Sequence, residues 1–153
     1  MGYQIGVDLT VIDSSPAFKL GELAQQDTGK VYKYVKYEAA TAAVAAVAGE
    51  VAYYATVAVG DATGTIVTSD LSDSDEVGAG VLQAALTDGT YGWVQVSGLA
   101  TLTIALTAGA DGDPLTPTGA ADGTLDVTAL VTDSICATAI DASANIIMCH
   151  FPH

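Results

Sequence analysis

The chain has 153 residues and carries 18 acidic side chains against four lysines and no arginine, for a net charge of −14. All four lysines precede residue 40, where Asp8, Asp13, Glu22, Asp27 and Glu38 leave that stretch at −1, so the remainder carries −13 and no cation. Nucleic-acid affinity rests on cations that displace condensed counterions, so nucleic acid, nucleotides and anionic membranes are not expected partners. Half of the residues are apolar, but 27 of these 77 are alanine, which buries little area per residue and predicts a thin core supplemented by subunit contacts.

A single domain of this length is expected, with residues 1–38 as an extended N-terminal arm and first strands and residues 39–153 as a β-rich body. Residues 3–11 alternate, with Tyr3, Ile5, Val7, Leu9 and Val11 on one side and Gln4, Gly6, Asp8 and Thr10 on the other, the pattern of a half-buried strand or an extended arm. Ser14, Ser15 and Pro16 break it. A second extended stretch, Val31–Tyr37, follows the turn-like Asp27, Thr28 and Gly29. Residues 38–48 are nearly all alanine and valine, with a glutamate at the start and Gly49 as a stop, which predicts a short helix of about three turns. Only Val44 and Val47 offer bulk there, so a loop of small residues lying along a neighbouring surface is the alternative.

From Val51 onward, short valine, isoleucine, leucine and threonine runs separated by glycine and aspartate predict strands near 51–59, 64–68, 79–87, 91–96, 99–107, 124–131, 135–140 and 146–151. Asp88-Gly89 and Ser97-Gly98 read as two-residue hairpin turns. The strongest alternation lies at 99–107. Many short strands at close spacing make the expected fold class all-β, a small barrel or sandwich with an extended arm and one short helix. Residues 1–6 have neither the basic start nor the apolar run of a secretory leader. Gly49-Glu50 splits the apolar run at 39–60 below the ~20 residues that span a bilayer. A soluble protein made in the cytoplasm of its host is the expectation.

Little in the chain promises chemistry. The acidic loop at 69–76 has carboxylates at Asp73 and Asp75, but Val77 stands where an oxygen ligand belongs and no glutamate closes the loop, so a solvated surface loop explains it better than a calcium site. Cys149, His150 and His153 could form part of a soft-metal cluster, yet a structural zinc site wants four ligands and strand neighbours point to opposite faces. There is no nucleophile elbow, no phosphate loop and no aromatic-rich sugar cleft. No catalytic residue, cofactor or metal is expected. Trp93 reads as a core or interface anchor. For Cys136 and Cys149, a four-residue loop at 141–144 would set them opposite each other and a five-residue loop at 141–145 on opposite faces. Free, buried thiols are the preferred reading.

Three short motifs carry a family likeness. The Phe-Lys-Leu-Gly stretch at 18–21 precedes Gly-Lys-Val-Tyr-Lys-Tyr-Val-Lys-Tyr at 29–37 and an alanine-rich run. Gly-Thr-Tyr-Gly-Trp-Val-Gln-Val-Ser-Gly stands at 89–98, and Gly-Asp-Pro-Leu opens the turn at 112–119. In their order and spacing these segments resemble the capsid decoration, or cement, proteins of tailed bacteriophages over roughly residues 17–151. The resemblance implies a β-tulip-like or barrel body on the outer face of a phage head, binding the major capsid protein as a homotrimer and bridging its neighbours. Residues 1–16 and the strong acidity depart from that pattern.

The residues themselves suggest where such a contact would lie. Every lysine falls within 18–37, the one region able to approach another acidic protein without net repulsion. Tyr32, Tyr34 and Tyr37 offer large, rigid area with a polar tip, as interface anchors do. Phe18, Lys19, Lys30, Tyr32, Lys33, Tyr34, Lys36 and Tyr37 are therefore the expected interface to the capsid or to a second subunit. The alternative is an ordinary strand whose lysines reach into water. Two other functions stay open: a small-molecule-binding β-barrel, and a tail, fibre or surface-adhesion component.

Overall fold

The computed structural model describes residues 6–39, 46–56 and 64–153. Ten strands run through them: β1 Leu23–Gln25, β2 Val31–Tyr37, β3 Val51–Ala55, β4 Ile66–Thr68, β5 Ser74–Leu82, β6 Tyr91–Thr101, β7 Pro114–Thr116, β8 Asp126–Val127, β9 Ala137–Asp141 and β10 Ile146–His150. Helical backbone among the described residues is limited to two 3-10 turns, Leu71–Asp73 and Ala142–Ala144. The fold is all-β, as β-branched and aromatic runs punctuated by glycine and aspartate require. No helix among the described residues is long and apolar enough to cross a membrane.

Two long strands organise the sheet. β2 and β6 pair antiparallel from Val31↔Ser97 to Lys36↔Tyr91. The second edge of β2 takes β1 at one end and β4, in parallel, at the other. β4 pairs β3, β3 pairs β5, and β5 returns to β6 at Val81↔Gln95 and Leu82↔Val94, which closes a ring of strands. Beyond that closure the same edge of β6 carries β10, from Ser97↔His150 to Thr101↔Ile146, followed by β9, β7 and β8. β6 thus belongs to both halves of the molecule.

One continuous core fills the ring and runs beneath the C-terminal strands, from Val35, Tyr37, Val51, Tyr53 and Val67 to Leu115, Leu125, Ile147 and Phe151. Tyr53 ties the halves together. Its hydroxyl donates to the Thr124 carbonyl at 2.6 Å and accepts from the Thr124 amide at 3.0 Å. A second, smaller core lies outside the ring, where Leu9, Ala24, Tyr32, Tyr34 and Trp93 pack with Val7, Val11, Phe18, Leu20 and Tyr91. The arm lies over the outer face of the β2–β6 pair, so both faces of β2 are covered and five of its seven residues are buried.

Several sequence expectations need correction. The alternation from residue 7 to 11 is not a strand, because Asp8 accepts bonds from the Thr10 amide and hydroxyl and turns the chain. The supposed helix at 38–48 falls mostly outside the described residues, as do residues 1–5 and 57–63. β5 begins at Ser74, five residues before the expected 79, because a bulge opposite Tyr53 and Ala55 absorbs Asp75, Glu76 and Val77. Glu76 sits there at a φ of 54°, the left-handed region that bulges exploit. Ser97-Gly98 is no turn, since β6 runs straight through it. Gly98 is needed because a Cβ there would lie 2.9 Å from Lys30 Cγ. The alternation at 102–107 survives in burial, but those amides bond to loops, Leu102 to Asn145 and Thr103 to Gly49, instead of to a ladder. Asp88 and Gly89 do turn, but the connection from β5 to β6 is eight residues long, 83–90, and not a two-residue hairpin turn.

Candidate functional site

The lysine-bearing face is built by β2, the preceding arm and the first half of β6. Strand alternation puts Tyr32, Tyr34 and Lys36 on the outer face of the ring and Lys33, Val35 and Tyr37 on the other. On the outer face, Tyr34 is the hub. Its ring meets Phe18 edge-on at 5.3 Å, Trp93 at 5.0 Å and Tyr91 in a stack at 6.4 Å. Phe18 also meets Trp93 edge-on at 5.3 Å. The Tyr34 hydroxyl donates to Asp13 Oδ2 at 2.5 Å and accepts from the Ala17 amide at 3.2 Å. Burial, reinforced by the bond to Asp13, pushes the phenol up to about 12. Backbone bonds complete the closure, pairing Asp13 with Tyr91 and running from the Gly21 amide to the Tyr34 carbonyl.

The eight expected contact residues therefore divide. Tyr32, Tyr34, Tyr37 and Lys33 are buried in their own chain, so the tyrosines are anchors of the arm and the core, and their area is not open to another protein. The Tyr32 hydroxyl bonds Gln26 Oε1 at 3.2 Å. Lys33 Nζ donates to the Tyr54 hydroxyl at 3.0 Å and the Gly64 carbonyl at 2.8 Å, and it lies 4.9 Å from the Tyr54 ring centre. Phe18 is half-buried under the arm. Lys19 is exposed and Lys30 and Lys36 are partly so. Lys36 pairs with Glu38 at 2.7 Å, a bond that raises its pKa. Sequence reasoning missed this division because a strand covered on both faces loses the polar alternation that reports exposure.

Lys30 also borders a cleft of about 340 Å³ lined by Gly49, Gln83, Gln95, Thr101 and Thr103 with an aliphatic floor of Val81 and Leu82. The Gln95 amide there is fixed by the Ser97 and Leu99 carbonyls at 3.2 and 2.9 Å.

The other sequence candidates are engaged locally. Asp70 caps the Leu71–Asp73 turn by accepting from the Ser72 amide and hydroxyl, and Asp122 accepts from the Leu71 amide. The 69–76 segment is thus a folded turn rather than an open acidic loop. Among the described residues no three His, Cys, Asp or Glu side chains gather as metal ligands would. Cys149 faces Ala137 across the hairpin, and Cys136 lies just before β9. Both thiols are free and buried. Both lie in the main core, Cys149 opposite Ala137 and Cys136 free of the regular strand alternation because it precedes β9. Burial pushes Cys149 up to about 12, with the Lys30 charge opposing, and raises Cys136 as well, which keeps both as inert thiols. His150 points outward and bonds Thr138 Oγ1 at 3.0 Å. Comparison with known proteins finds no matching family model, no matching curated protein and no matching solved structure.

Proposed function

We propose that the chain is a structural protein that decorates the outer surface of a tailed-phage head, binding the major capsid protein as a homotrimer and bridging its neighbours. The observation that supports this reading is a convergence. Phe18, Tyr34 and Trp93 come from the segments at 18–21, 29–37 and 89–98 that carry the resemblance, and they meet in one aromatic cluster. Two of the three motifs behind the likeness therefore form one packed unit, and the third, at 112–119, contains β7. In this reading the partly or fully exposed Lys19, Lys30 and Lys36 face the capsid, and the acidic body faces solvent and keeps particles dispersed.

Co-sedimentation with expanded heads tests it. Replacing Lys19, Lys30 and Lys36 by glutamate should abolish decoration and leave the fold intact, since none of the three is buried. Wild-type occupancy of heads by the triple variant would refute this contact. A second reading, a binder of a small polar molecule, is favoured by the Lys30 cleft, whose volume stands at the low end of the ~300–1,000 Å³ usual for ligand sites. Thermal unfolding with heads and, separately, with a mixture of small carboxylates and sugars separates the two by which addition stabilises the protein.

A further inference from the structure

The cleft beside Lys30 lies where β5 returns to β6, at Val81↔Gln95. Lys30, just before β2, and Gly49, just before β3, both border it. Its charge runs against that of the chain. In a protein of net charge −14, no aspartate or glutamate is among the described residues that line this space, and one of the four lysines is. The stem of Lys30 is seated beside Gln95, since a Cβ on Gly98 would lie 2.9 Å from Lys30 Cγ and 3.5 Å from Gln95 Nε2. Its ammonium makes no ion pair or hydrogen bond with a described residue, whereas Lys33 and Lys36 are both engaged.

Most of the neutral groups around it have spent their donors. Gln95 is buried, and its amide nitrogen donates to the Ser97 and Leu99 carbonyls. Two carbonyl partners fix the orientation of that amide and leave its oxygen to accept. The Thr103 hydroxyl donates to the Ala48 carbonyl at 2.6 Å, which leaves it an acceptor too. Gln83 Nε2 bonds the Val81 carbonyl at 2.9 Å and keeps one N–H. The backbone amides of Gly49, Leu82, Gln83 and Thr103 are bonded to the Leu82, Glu50, Trp93 and Gly49 carbonyls.

A guest therefore meets one cation, acceptors that need hydroxyl donors, and the aliphatic floor of Val81 and Leu82. A lone ammonium without an arginine fork or a nest of free amides is a poor match for a phosphate dianion. The acidity of the chain disfavours a second negative charge further. A neutral sugar supplies the hydroxyls but gains nothing from the ammonium. We propose that the cleft binds a monosaccharide-sized sugar acid, its carboxylate on Lys30 and its hydroxyls donating to Gln95 Oε1 and Thr103 Oγ1. This names the ligand class for the second reading above and rests on that reading.

Titration of the full chain with glucuronate, glucose and acetate, followed by nuclear magnetic resonance, is the test. The side-chain amides of Gln83 and Gln95 and the backbone amides of Gly49 and Thr103 should shift with glucuronate. Saturation should come at a concentration at least about tenfold lower than with glucose or acetate, a factor within reach of one charge-assisted hydrogen bond. Lys30→Met should lose that factor and Lys30→Arg should keep most of it. Added salt should weaken glucuronate binding and leave glucose unaffected, a comparison that decides even if the Lys30 variants misfold. Equal affinities for glucuronate and glucose, or undiminished binding by a folded Lys30→Met, would overturn the sugar acid and leave a cleft for polar molecules standing. No shift with any of the three compounds would overturn both. Head decoration is measured by co-sedimentation without glucuronate and stands or falls on its own.

Discussion

The ring and the C-terminal sheet bury their strands in different ways, and the contrast explains where this chain keeps its stability and where it keeps surface in reserve. β2 and the first half of β6 are packed on both faces, by the main core within and by the arm outside. β9, β10 and the second half of β6 are packed on one face only. The aromatic residues follow the division: all seven tyrosines and the tryptophan precede residue 94. Beyond that point Phe151 is the one Phe, Tyr or Trp, and the chain otherwise relies on small and aliphatic side chains. A doubly covered strand has no free side left for a partner, whereas a singly covered one keeps a side open to solvent.

The largest effect expected from this contrast comes from two truncations on the same face of one strand. Trp93→Ala should cost about 3–5 kcal/mol, the range for a buried large aromatic, and Leu99→Ala less than about 1 kcal/mol in the monomer. Equal losses in urea titrations would erase the distinction. The next concerns alkaline pH. The unfolded phenol of Tyr34 ionises near 10.0, while the folded one holds its proton up to about 12. The unfolded state loses protons first, and stability falls as pH rises from 10 towards 12 at roughly 1.4 kcal/mol per unit for that group. Burial raises Tyr32, Tyr37 and Tyr53 in the same direction, so ring amides should exchange before those of β9 and β10. Tyr34→Phe should flatten the slope, and an unchanged slope would exclude Tyr34 as a source.

Gly78→Ala probes the junction of the two halves. The added Cβ would lie 2.7 Å from Phe151 Cε1 and 2.9 Å from Cys136 Sγ, and overpacking of this kind should cost about 1–3 kcal/mol. A neutral outcome in thermal unfolding would mean that Phe151 moves aside. The smallest effect is expected at Glu50, where the start of β3 meets Gly123. Its carboxyl is buried with Oε2 unpartnered, and burial raises its pKa above the usual 4.5. The folded state therefore binds the proton more tightly. Stability is greatest below 4.5 and declines as pH rises through the folded value. Glu50→Gln should remove that decline and add up to about 1 kcal/mol at neutral pH; a loss of stability there would show that the charged form is the one the fold needs.

The same contrast decided what could be read from the sequence. β10 and the burial of Trp93 were legible because local chemistry and burial agreed. β2 was legible as a strand but not in its exposure, since Lys33 turns inward to Tyr54 and the tyrosines turn beneath the arm. Glycine misled at 98, where the signal of a turn was in fact the signal of a close approach by Lys30. β1 was missed because three residues with one apolar pair carry no period, and only β2 beside them makes a strand. Of the candidate surface, the lysines were visible as charge, but the cleft beside Lys30 was hidden. Lys30, Gly49, Leu82 and Gln95 share it only through the closure of separate strands.

β6 has a mechanical consequence as the strand common to both halves. A load entering through β2 and leaving through β10 passes lengthwise along it, with the β2 ladder on one edge and the β10 ladder on the other meeting at Ser97. Backbone bonds perpendicular to such a pull are strained together rather than one after another. The two-pair contact between β7 and β8 lies outside that path. The molecule is thus disposed to act as a tie that resists stretching along one axis and keeps its shortest strand, β8, out of the line of load.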